Sequence, residues 1–188
     1  MNKTRAVSRR VALAGILAVT LGAAGWRLSA QPAGAAAAQP GVLKAADMAT
    51  LMPAQVFFRG QSAAVQMRNS GGIRYADGMF TLMALVDTSG YSSGIQQRYQ
   101  AYLITEVPLE IRDGTEGKRL APGAYGVGFI QNDRFVVMDL GAHELVNVGS
   151  RHDAELHRPM PLQVLDTPAP GTYRFYEGRS YVTVQRAK

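Results

Sequence analysis

From Gln55 onward, apolar and polar positions alternate in short runs broken by Gly, Pro, Asn and Asp, the pattern of half-buried strands joined by tight turns. It predicts ten strands: Gln55–Arg59, Ala63–Arg68, Met79–Asp87, Tyr99–Ile111, Gly123–Ile130, Arg134–Leu140, Glu144–Val148, Leu162–Leu165, Thr172–Glu177 and Tyr181–Arg186. Asn132-Asp133 separates two apolar pairs, and both residues tolerate positive φ, so a hairpin is expected there. Glu177-Gly178 predicts a second hairpin and Asn69-Ser70-Gly71-Gly72 a bend. Helical character is confined to Val42–Met52 and Ile95–Ile104, and in the latter the alternation of Tyr99, Ala101 and Leu103 favours a strand. Ala121-Pro122-Gly123-Ala124-Tyr125 recurs as Ala169-Pro170-Gly171-Thr172-Tyr173. Each copy predicts a turn with Gly at positive φ leading into a strand. The fold class expected is all-β: an antiparallel β-sandwich or small β-barrel with meander and hairpin connections.

The front of the chain has a different pattern. Met1–Arg10 is basic, Val11–Gly25 is an apolar run broken by Thr20, and small residues follow to Ala30, the three parts of a secretory signal peptide. The run of 15 residues falls short of the roughly 20 needed to span a bilayer. The expected organisation is a cleaved signal helix over 1–30, an Ala/Pro/Gln-rich linker over 31–41 and a single β-domain over 42–188, exported to the periplasm or outside the cell. Ser8-Arg9-Arg10-Val11-Ala12-Leu13 resembles the twin-arginine export signal, without the Phe before that Leu or the Lys after it. The resemblance implies export in the folded state.

Charge is concentrated in the same place. The formal net charge is +6, but five of the 20 Lys and Arg residues fall in the first thirty positions, which hold no acid. That leaves 15 basic against 14 acidic residues beyond, so the body has no electrostatic case for binding nucleic acid. No membrane contact is expected after signal cleavage. An apolar content of 47% with 18% charged residues excludes a disordered chain. There is no cysteine to form a disulfide, and the one tryptophan, Trp26, lies in the predicted signal.

Candidate chemistry is sparse. His143, His152 and His157 stand among Asp139, Glu144, Asp153 and Glu155, and imidazole with carboxylate suits a divalent ion such as Zn²⁺. These three histidines are the candidate metal ligands, and a divalent metal the one candidate cofactor. His152 and His157 would fall on opposite faces of a strand, so a solvated loop over Gly149–Pro161 is the simpler account. Ala84-Leu85-Val86-Asp87-Thr88-Ser89-Gly90 resembles the active-site turn of aspartic proteases, which implies a dimeric hydrolase using Asp87. Ser89 stands where that family has Gly. Gly90-Tyr91-Ser92-Ser93-Gly94 resembles the nucleophile elbow of α/β-hydrolases, implying Ser92 as nucleophile, but no alternating βα pattern surrounds it. In both places the residues are also ordinary turn formers, and the turn reading carries more weight.

Tyr91, in a Gly/Ser-rich loop, is expected to be the exposed tyrosine, so Tyr91 and Ser92 on the loop Thr88–Gln96, with Asp87 just before it, are the candidate ligand contacts. The expectation is an exported, non-catalytic module that binds an unidentified small molecule or protein, or serves a structural role. The alternatives are a metal protein built on the three histidines and, behind it, a hydrolase using Asp87 or Ser92.

Overall fold

The computed structural model describes residues 39–114 and 117–188. The expected signal peptide and all but the end of the expected linker lie outside the described residues. In chain order the strands are β1 (Gly41–Leu43), β2 (Gln55–Phe58), β3 (Gln61–Arg74), β4 (Phe80–Val86), β5 (Ala101–Thr105), β6 (Leu109–Arg112) and β7 (Gly117–Leu120). They continue as β8 (Gly123–Ile130), β9 (Arg134–Met138), β10 (Glu144–Gly149), β11 (Arg151–His152), β12 (Gln163–Asp166), β13 (Thr172–Glu177) and β14 (Ser180–Arg186). Two single-turn helices, α1 (Ala45–Met48) and α2 (Ser93–Gln96), interrupt them.

All pairings are antiparallel, and they form two sheets that do not close into a barrel. The first runs β1-β3-β4-β5-β8-β9-β10 with β2 also on β3; the second runs β12-β13-β14-β6-β7 with β11 also on β14. Between them lies a core to which the first sheet gives Ile73, Met83, Leu103 and Val137 and the second gives Ile111, Val164, Phe175 and Val184. A second core lies on the opposite face of the first sheet. There Leu82, Ala84, Tyr102 and Met138 are covered by Met48, Phe58, Tyr91 and Ile95. Buried on both faces, the central strands of the first sheet are apolar almost without interruption, as in Phe80–Val86 and Phe135–Met138. The second sheet has one solvated face, and Thr172–Glu177 and Leu109–Arg112 alternate more openly.

The hairpin at Asn132-Asp133 forms, with φ of 62° and 52°. So does the one at Gly178-Arg179, where Gly178 takes φ 59° and Glu177 pairs with Ser180. Other expectations are corrected. Val42–Met52 is not a helix: Val42-Leu43 pairs as an edge strand with Ile73-Gly72, and only one helical turn follows. Tyr99–Ile111 is two strands, because Pro108 cannot donate to a ladder and the chain crosses there from one sheet to the other. Thr105 marks the crossing, its hydroxyl donating to the Val107 carbonyl at 2.7 Å. The bend expected over Asn69–Gly72 lies inside β3, and the irregularity sits just before it. Val65 pairs with Val86 and Ser70 with Ala84, so Gln66–Asn69 bulges out of the ladder. The two repeat copies differ: Gly171 has the expected left-handed φ of 72°, whereas Gly123 is nearly extended at 159°. In the first copy the Tyr125 hydroxyl donates back to the Ala121 carbonyl at 2.9 Å.

Candidate ligand-binding pocket

Among the described residues β1 pairs only with β3 and β12 only with β13, so each is an edge of its own sheet there. The two edges meet over Gly71. A Cβ there would lie 3.2 Å from Val164 Cγ2 and 3.4 Å from both the Leu43 carbonyl oxygen and the Val164 amide nitrogen. Any larger side chain would wedge the sheets apart. Beside this seam is a pocket of about 430 Å³. Its walls are apolar: Val42 and Leu43 from β1, Ala45 and Ala46 from α1, and Leu162, Val164 and Leu165 around β12. The volume falls in the range of small-molecule sites, roughly 300–1,000 Å³.

Each wall is held by identifiable contacts. α1 is pinned by Met48 and Met52, both buried in the second core, and its first turn is closed by the Lys44 N–H donating to Asp47 Oδ2 at 2.9 Å. The opposite wall includes Met160, which remains 44% exposed at the rim. The Gly178 N–H is shared between the carbonyls of Met160, at 3.1 Å, and Pro161, at 3.3 Å, which ties this wall to the β13–β14 turn. Arg179 adds hydrogen bonds to the carbonyls of Asp153 and Ala154. Beside this tie, burial pushes the Glu177 carboxyl up to about 7, opposed only by the backbone amide of Phe129. The Ser70 hydroxyl is already committed, donating to the Met67 carbonyl at 2.6 Å. Lys44 and Asp166 are the two charged residues of the lining. Asp166 adds to burial in holding the Tyr173 phenol above its ordinary value.

Two other cavities hold charged groups that pair with one another. One holds Glu110, which takes Arg112 at 2.5 Å and Gln185 at 2.6 Å. Another holds Asp153, which takes the Tyr176 hydroxyl at 2.8 Å and Arg174 at 3.4 Å, with the Arg174 guanidinium 4.5 Å from the Tyr181 ring centroid.

No family model, curated protein or solved structure matches the chain. The pocket has to be read from its own chemistry.

The residues singled out from sequence lie elsewhere. Tyr91 is not exposed: its ring packs 5.3 Å from that of Tyr99, and its hydroxyl reaches the carbonyls of Phe58 at 3.0 Å and Gln61 at 3.1 Å. Two carbonyls at the end of the β2–β3 hairpin satisfy the phenol inside the core, so solvent offers it nothing more. Asp87 is exposed and accepts the Ser89 N–H at 3.0 Å, which holds its carboxyl below the ordinary carboxylate range. Ser92 is exposed at the N-cap position of α2, its carbonyl accepting from Ile95 and Gln96.

The three histidines stand on separate elements. His143 occupies the β9–β10 turn with Nδ1 3.0 Å from Asp139 Oδ2, His152 pairs with Ser180 in β11, and His157 lines the cleft beside Asp153. Among the described residues, no three His, Cys, Asp or Glu side chains are grouped so as to hold a metal ion. The pocket residues themselves escaped the sequence reading. β1 and β12 lie far apart along the chain, and nothing local in Val42–Ala46 or Leu162–Asp166 marks them as neighbours.

Proposed function

We propose that the protein is an exported, non-catalytic binding module that takes the apolar part of a small molecule into the pocket between β1 and β12. The observation that carries this reading is the pocket's composition: side chains that elsewhere fill the two cores here line a cavity at an open seam between the sheets. A concave apolar site with few polar groups is the usual form of a small-molecule site. Export rests on the basic, apolar and small-residue sequence of the first thirty positions.

The test uses N-phenyl-1-naphthylamine, whose emission rises in apolar surroundings. Ala46 is exposed on α1 and lines the pocket, so Ala46→Trp fills the cavity from a position that belongs to neither core. The parent protein is expected to bind the probe saturably, and Ala46→Trp to weaken that binding at least tenfold with the fold unchanged by circular dichroism. Equal binding by both proteins would place the apolar site elsewhere.

A further inference from the structure

The lining of the β1–β12 pocket holds one cation and one anion, on opposite walls. Lys44 stands where β1 passes into α1, and Asp166 ends β12. Neither forms an ion pair among the described residues, in contrast to Glu110 with Arg112 and Asp153 with Arg174; Asp166 also borders the neighbouring cleft that holds Arg158 and Arg174. Both are backbone-anchored, Lys44 by the closed turn at Asp47 and Asp166 by its register opposite Tyr173. The other lining residues are apolar, Gly, Ser70 or Gln163, so no third charge lines this pocket itself.

We infer that the occupant is a zwitterionic single-chain amphiphile, its hydrocarbon tail in the apolar pocket, its anionic group toward Lys44 and its cationic group toward Asp166. This rests on the reading of the pocket as an apolar small-molecule site. Charge complementarity decides the class of head group. An anionic amphiphile satisfies Lys44 but brings a second negative charge towards Asp166, and a cationic one does the reverse. A neutral head group leaves both unmatched, and a head group carrying both charges matches both walls. Because both side chains lie at the rim, each match is worth a modest factor and serves selectivity more than affinity.

The experiment measures displacement of N-phenyl-1-naphthylamine by four dodecyl compounds: dodecylphosphocholine, dodecanoate and dodecyltrimethylammonium below their micelle concentrations, and dodecanol below its solubility limit. The expected order puts dodecylphosphocholine first, by about threefold to fivefold over either singly charged compound. Lys44→Met should abolish its advantage over dodecyltrimethylammonium, and Asp166→Asn its advantage over dodecanoate. Both substitutions are at exposed positions, and circular dichroism with unchanged dodecanol affinity shows that fold and pocket are intact. Equal displacement by all four compounds, or preference for a singly charged one, overturns the head-group inference and leaves the apolar pocket standing. If none of the four competes, and Ala46→Trp leaves probe binding unchanged, the pocket reading itself falls and the inference with it.

Discussion

A carboxyl group that folding withdraws from water without supplying a cation makes stability depend on pH. Glu177 is such a group: it has no ion pair among the described residues, and burial raises it from 4.5 to about 7. The folded state therefore binds the proton more tightly than the unfolded chain. Stability from this group is fully present below pH 4.5, falls between about 4.5 and 7, and is level above that. Glu177→Gln, which keeps the shape of the protonated acid, should be more stable than the parent by about 1–3 kcal/mol at pH 8, with the gap closing near pH 4. Urea unfolding at the two pH values measures this, and a gap independent of pH would show that ionisation is not its source. Two tyrosines give a matched contrast. Tyr91→Phe removes a hydroxyl with two carbonyl partners and should cost about 1 kcal/mol. Tyr99→Phe removes a buried hydroxyl with no partner among the described residues, so it should be neutral or stabilising in the same thermal melts.

At the scale of elements, the seam depends on one missing side chain. Gly71→Val would drive methyl groups into Val164 and the β1 backbone, and should cost about 1–3 kcal/mol while reducing probe uptake in proportion to the displaced edge. A well-folded variant with full uptake would show that the seam can open without closing the pocket. The strands that were legible in sequence are those with a clean pattern and strong punctuation. Gly123–Ile130 and Thr172–Glu177 have the bounds expected of them, the first set off by Pro122 and the second by Pro170-Gly171, each with a turn after it. Tyr99–Ile111 was misread because its alternation continues in phase on both sides of a proline that changes sheets. β7 and β11 gave no signal at all. Gly-Lys-Arg-Leu and Arg-His carry almost no apolar alternation, and they are strands because β6 and β14 supply a ladder to join.

For the whole molecule, the all-β class was legible, but the division of strands between two sheets was not. The difference between the near-continuous apolar run Phe80–Val86 and the more open alternation of Thr172–Glu177 does record it, once one knows that the first sheet is covered on both faces. The candidate site was not legible. Local patterns drew attention to Thr88–Gln96, a self-satisfied turn with its tyrosine in the core, whereas the pocket is made by strands brought together only by the fold. That geometry also sets an order of events. β6 pairs with β14, Arg112 lying opposite Thr183, and β12 is joined to the second sheet only through β13 and β14. As the chain is made from its N-terminus, the second sheet cannot assemble until residues 180–186 are available, and the pocket wall that it carries comes with it. Such non-local pairing folds slowly, on the order of milliseconds to seconds. For the export proposed above, the wait for β14 leaves an interval that suits a channel for unfolded chains, whereas the folded export that the twin-arginine resemblance implies requires β14 to be in place first.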